Sequence, residues 1–108
     1  MAQLRLERGQ PMRVTLVGGM DRLEPHYRRE AKKSGHELKT FFQYENGMEA
    51  KIGATDAMVV FTGKVSHSAR NHACAVAREL GIPLVQCHSC GVSSLRECLA
   101  GLAELVHN

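Results

Sequence analysis

The sequence predicts an α/β domain, a small open parallel sheet of four strands with helices on both faces. Three observations carry that prediction. Short apolar segments alternate with longer segments of helical periodicity, an order that buries a parallel sheet between helices. The strand segments RVTLVGG, DAMVVFTG and IPLVQC are nearly continuous apolar runs, as burial on two faces requires. Gly and Pro punctuate the joins.

Taken in order, residues 1–11 form a polar lead-in ending at Pro11, and residues 12–108 form one domain. RVTLVGG is a buried strand ended by Gly18 and Gly19. DRLEPHYRREAKKSG is a helix with Pro25 in its first turn and Gly35 just past its end. HELKTFFQY is a second strand, closed by the turn-like ENG. Residues 47–54 make a short helix, and DAMVVFTG is the third strand. SHSARNHACAVARELG is a helix with Ser66 as N-cap and Gly81 as stop. IPLVQC is the fourth strand. SSLRECLAGLAELV is the last helix, with Ser94 and Glu97 spaced as a capping box. The expected arrangement is Rossmann-like or flavodoxin-like, with strand order 2-1-3-4. Its open edges suit a homodimer.

The 108 residues carry a net charge of +3 and no apolar run long enough to span a bilayer. No apolar signal core stands near Met1, so the expected location is cytoplasmic. In a reducing compartment, four cysteines point to buried small residues, metal ligands or reactive thiols rather than to a disulfide framework. The basic stretch HYRREAKK reads as a solvated helix face. Without aromatic interleaving or a nucleic-acid motif, DNA and RNA are not expected partners.

Ligands of open parallel sheets bind beyond the carboxyl ends of the strands, near the switch point. That rim receives Gly18, Gly19, Met20, Asp21, Arg22, His26 and Tyr27 after the first strand. It receives Tyr44 after the second, Lys64, Ser66 and His67 after the third, and Cys87, His88 and Cys90 after the fourth. Taken singly, each of these residues has an ordinary explanation as surface or core, and their convergence on one rim is the informative pattern. Cys87-x-x-Cys90 is half of a zinc site, and His67 and His88 would have to complete it. A thioredoxin-like role is disfavoured, because such pairs follow an early strand and lead straight into a helix. Covalent haem attachment fails, because Gly91 stands where His is needed. Non-covalent haem needs only an axial side chain and an apolar slot, and His67 at a helix start on the central crevice is the best-placed ligand. VGGMDR resembles a glycine-rich phosphate turn, but it is neither G-x-G-x-x-G nor a P-loop, and a tight turn out of a buried strand is the simpler reading. Cys98, among Leu95, Leu99 and Leu102, reads as core. No nucleophile, base and orienter stand out from spacing. Ser66 and His67 are only sequence neighbours, so an enzyme is not favoured.

The stretches VGGMDR…HY, YENG, DAMVVFTGKVSHSA and IPLVQCHSCGVSSLRECL resemble the bacterial family designated domain of unknown function 2325. The resemblance spans about residues 13–100. Its most specific part is Ser66, His67 and Ala69; Gly18, Gly19, Arg22, Tyr27, Ser93 and Ser94 also match. The family's usual His-Asp-Gly-Gly after strand two is Tyr44-Glu45-Asn46-Gly47 here. The Cys87 and Cys90 pair is not a general family feature. The resemblance implies a small α/β domain with non-covalent haem b and a diatomic gas such as dioxygen. His67 would be the axial ligand, Met20, Leu23 and Val65 would line the slot, and any ligand role of the family's His would pass to Tyr44 or be lost. Arg22, His26 or Tyr27 would hydrogen-bond the gas, and Ser66 would border the cofactor. The alternatives are a zinc- or thiol-based regulatory module using Cys87, Cys90, His67 and His88, and a cofactor-free ligand- or partner-binding domain.

Overall fold

The computed structural model describes residues 11–107. All of the expected lead-in except Pro11 lies outside them. The order is β1 (Arg13–Gly18), a 3-10 turn (Asp21–Leu23), α1 (Glu24–Lys33), β2 (Glu37–Phe41), α2 (Met48–Gly53), β3 (Ala57–Phe61), α3 (His67–Leu80), β4 (Leu84–Cys87) and α4 (Val92–His107). The four strands form one sheet of order β2-β1-β3-β4. Every neighbouring pair is parallel.

Alternation along the strands splits the core into two layers. Val14, Leu16, Leu38, Val59 and Phe61 face α1 and α4, where Tyr27, Ala31, Leu95, Leu99 and Leu102 meet them. Val17, Phe41, Met58 and Val60 face α2 and α3, where Met48, Ile52, Ala69, Ala73 and Ala77 close the other side. Leu16, Leu95 and Leu102 are fully buried, and burial of each such side chain contributes about 1.5–3 kcal/mol. The alanines of α3 let that helix lie close to the sheet.

The helix signals act largely as the sequence predicts. Ser66 caps α3 by accepting the Ala69 N–H at 3.1 Å, and Gly81 ends it in the left-handed region at φ +69°. Pro25 sits in the first turn of α1. Two boundaries differ. β2 stops at Phe41, not Tyr44, because its last partner is Val17. Beyond that pair β1 turns away at Gly18, φ +93°, and Phe42 has no strand to join. The last helix starts at Val92, so Ser94 is inside its first turn. The Ser94 hydroxyl donates to Ser89 Oγ at 2.7 Å instead of capping.

α1 is tied to its neighbours by charge. Arg28 donates to the Leu38 carbonyl at 2.8 Å and pairs with Glu24 at 3.1 Å. Glu30, almost fully buried, receives two bonds from Arg96 of α4, both at 3.1 Å. That fork of hydrogen bonds holds the Glu30 carboxyl below the usual glutamate range, against the opposing effect of burial.

Candidate functional site

The chain leaves β1 for its left-hand neighbour and β3 for its right-hand neighbour, so the switch point lies between the carboxyl ends of β1 and β3. Three loops meet there, and most of their backbone is already spoken for. The Gly19 N–H donates to the Lys64 carbonyl at 2.7 Å. The Met20 N–H donates to the Tyr27 hydroxyl at 3.1 Å, and that hydroxyl donates to the Cys90 carbonyl at 2.5 Å. The Thr62 N–H donates to the Cys87 carbonyl at 2.8 Å. A Cβ on Gly18 would stand 2.7 Å from the Phe61 carbonyl oxygen and 2.8 Å from that of Lys64. A Cβ on Gly63 would collide with the carbonyl oxygen of His88. The loops after β1, β3 and β4 thus form an interlocked seam. Its glycines exist for close backbone approach, and the amides of Gly19 and Met20 are not presented to an anion. VGGMDR is a tight turn.

Beside the seam lies an open crevice of about 330 Å³, lined by Gly19, Asp21, Phe42, Lys64, Val65 and Ser66. It offers one carboxylate, one ammonium and a hydroxyl, with apolar walls from Phe42 and Val65. His67, next after Ser66, is exposed at the first turn of α3.

The residues singled out from sequence divide into three groups. Tyr27 is fully buried, clamps the seam with its hydroxyl and meets Phe61 edge-on at 5.8 Å. Burial pushes the phenol above its ordinary pKa. Met20 is half-buried, with its sulfur 3.9 Å from the Arg22 guanidinium. Arg22 and His26 are exposed on the α1 side of the sheet, whereas Ser66 and His67 belong to the α3 side. Tyr44 stacks on His72 of α3 with ring centroids 4.3 Å apart. The His72 Nδ1–H donates to the Ser68 carbonyl, 2.7 Å away, and Nε2 stands 3.8 Å from Glu49. The Ser66 hydroxyl oxygen accepts the Ala69 N–H, and among the described residues no hydrogen bond joins Ser66 to His67.

Cys87 and Cys90 are half-buried and His88 is exposed. The Cys90 thiol lies 3.7 Å from the His88 carbonyl oxygen and is pushed up chiefly by burial. Among the described residues no three His, Cys, Asp or Glu side chains are grouped to hold a metal ion. His67, His88, Cys87 and Cys90 are therefore not gathered into a tetrahedral set. Cys87 and Cys98 of α4 belong to the same core layer, Cys98 within it and Cys87 at its margin.

Sequence reasoning did not select Phe42, Lys64 and Asp21 as lining residues, nor His72 as the partner of Tyr44. Lys64 and Asp21 were already legible as rim residues. Phe42 enters the crevice only because β2 ends early. His72 lies mid-helix, and nothing local marks what faces it.

Comparison with known proteins agrees with this architecture. The structure is similar to that of a hydroxyethylthiazole kinase protein from Pyrococcus horikoshii OT3, with a TM-score of 0.61 and 19% sequence identity. The match covers 89% of this chain and 39% of the kinase chain, so this chain spans well under half of that protein's length. At that identity the likeness shows the α/β fold alone. No curated protein matches the chain. No helix among the described residues is long and apolar enough to cross a membrane. The model of the family described as "Uncharacterized protein conserved in bacteria (DUF2325)" matches residues 13–102, which is most of the chain, and the protein belongs to that family.

Proposed function

We propose that the protein binds haem b non-covalently at the carboxyl rim of its sheet and uses it to bind or sense a diatomic gas such as dioxygen. The observation that carries the reading is the exposed imidazole of His67 beside the switch-point crevice. The side chains there are of kinds a porphyrin accepts. Phe42 and Val65 offer apolar contact, and Lys64 is a cation suited to a propionate. Bound haem would supply an iron that binds the gas, and His67 would hold that iron from the protein side. The Tyr27 hydroxyl is not available to the gas, since both of its bonds serve the seam, and Arg22 and His26 stand across the sheet from His67, so neither is proposed as a donor.

Size limits what one copy can do. A crevice of about 330 Å³ is at the low end for small-molecule sites. One chain therefore grips an edge of the porphyrin, and a second copy completes the enclosure. The open β2 and β4 edges leave room for such a homodimer. A cytoplasmic location belongs to the same reading.

The test is the absorbance spectrum of protein purified from cells supplied with haem precursor, with iron and zinc measured on the same sample. A Soret band with iron at one per chain or per dimer is expected, and His67→Ala should remove or grossly change it. A mutant spectrum identical to the parent overturns the ligand assignment. A colourless parent after haem reconstitution overturns the cofactor. A second reading, a zinc- or thiol-based regulatory module, rests on a separate observation, the half-buried Cys87 and Cys90 at the same rim. Stoichiometric zinc that is lost on replacing Cys87 and Cys90 by Ser would instead select the metal version of that reading.

A further inference from the structure

We propose that β4 and the flank of α4 beside it are the contact surface for a second copy of this chain, with the two β4 strands paired antiparallel about a two-fold axis at Val85. This pairing sends the two carboxyl rims to opposite ends of one continuous sheet. It is therefore a separate contact from the one that would enclose haem, and it stands without the haem reading.

The two outer strands of the sheet are built differently. On β2 the backbone groups of Leu38 and Thr40 point outward, since the Glu37 N–H donates inward to the Met12 carbonyl. Arg28 covers the Leu38 carbonyl at 2.8 Å, and Glu37 and Lys39 add exposed charge. Such features guard an edge against pairing. β4 lacks them. The Pro83 and Cys87 carbonyls accept from β3, so the N–H and C=O of Leu84 and Gln86 point the other way, to the open side. No Asp, Glu, Lys or Arg occurs from Leu84 to Cys87.

Self-complementarity commits this edge to a second copy. An axis at Val85 sets Leu84 opposite the partner's Gln86, and the outward groups of each such pair exchange hydrogen bonds on either side of the axis. α4 extends the match. α1 packs on β2 and on α4, and Arg96 turns toward it to bond Glu30. Leu105, nine residues on, lies about half a turn round the helix, on the flank facing the β4 edge. It is 56% exposed. Ser94 and Gly101 share that flank, so it is as free of charge as the strand. Glycine disfavours a helix, and a Cβ on Gly101 would meet nothing within 4 Å, so no contact among the described residues requires glycine there. A helix passing closely from a second copy does. α4 packs on both β3 and β4. With strands about 4.8 Å apart, the two α4 axes would lie on the order of 10 Å apart, a distance at which helices pack. A charged partner would find no counter-charge on this surface, whereas a second copy brings an equally neutral one. A stable contact takes about 800 Å² from each partner, roughly an eighth of this chain's 6610 Å². An open strand with the flank of a 16-residue helix beside it is a surface of that order.

The test uses haem-free protein. Sedimentation equilibrium should give a mass near twice 11.9 kDa. Gly101→Glu and Leu105→Glu, both at exposed positions, should keep the parent's circular dichroism and weaken the dimer about a hundredfold or more, because each sets like charges together across the axis. Amide exchange followed by NMR should show Leu84 and Gln86 protected in the parent dimer. That protection should vanish in either variant, and in the parent diluted to monomer, while Val85 and Cys87 stay protected by β3. A parent that is monomeric at millimolar concentration overturns the proposal. So does a dimer that neither variant weakens. Protection of Leu84 and Gln86 that persists in a monomer also overturns it, since the same chain would then cover its own edge. None of these outcomes touches the Soret band, which tests the haem reading alone.

Discussion

Two regions of the same rim, a few residues apart, are built on opposite plans. In the seam, the Gly19, Met20 and Thr62 amides, the Tyr27 hydroxyl and the carbonyls of Lys64, Cys87 and Cys90 satisfy one another, while Gly18 and Gly63 allow the close approach. In the crevice, Asp21, Lys64 and Ser66 stand around open space, with His67 exposed next to it. Buried polar groups must be paired, so a rim that packs tightly at one place spends its amides there. Recognition then falls to side chains at the neighbouring opening. A glycine pair after the first strand is therefore no guide to phosphate binding unless its N–H groups are unspent.

The comparison can be broken most sharply at Gly18. Gly18→Ala places a Cβ under 3 Å from three seam atoms at a φ of +93°. Left-handed strain and overpacking together should cost about 4 kcal/mol. Urea unfolding should show a greatly lowered midpoint or no folded baseline. A near-normal midpoint would mean that the seam is not rigid.

Tyr27→Phe keeps the ring against Phe61 and removes only the hydroxyl. It leaves the Met20 N–H and the Cys90 carbonyl without their partner, at a cost of about 1–3 kcal/mol. The same unfolding measurement checks this, and a change within error would show that water takes over both bonds.

Glu30→Gln tests the support beneath Tyr27, one turn further along α1. The Glu30 pKa is lower folded than unfolded, so the unfolded chain binds protons first as pH falls. Its contribution is complete above the usual glutamate range and is lost as pH falls through the lowered folded value. The parent should therefore lose more stability than Glu30→Gln between neutral pH and about pH 3, read as the change in urea midpoint. Parallel losses would show that the Arg96 pairing carries no linkage.

The smallest effect on folding is expected at His67. His67→Ala, on the exposed first turn of α3, should move stability by no more than about 0.5 kcal/mol. It is the same variant that should abolish the haem spectrum. A large loss of stability would place His67 in the fold rather than in the site.

Much of the architecture was legible because its signals are local. Ser66 and Gly81 delimit α3 where capping chemistry says they should, and the apolar runs mark β1, β3 and β4. Alternation of element types was enough for a parallel sheet of order 2-1-3-4. The capping box at Ser94 failed for an equally physical reason. Gly91 and Val92 can enter the helix first, and the Ser94 hydroxyl finds Ser89 instead. The rim residues could be assembled from topology alone, since every strand of a parallel sheet ends on the same side.

What the linear chain determined, then, is the α/β class, the helix ends and the set of residues delivered to one rim, because propensity, capping and periodicity act over a few residues. Tertiary structure alone decided how those residues are used. It committed Tyr27 to a clamp, turned Phe42 into a crevice wall, set His72 against Tyr44, and separated His26 from His67 across the sheet. Each of those outcomes depends on contacts between elements distant in sequence, fixed by register and packing, for which no local pattern of residues is a substitute.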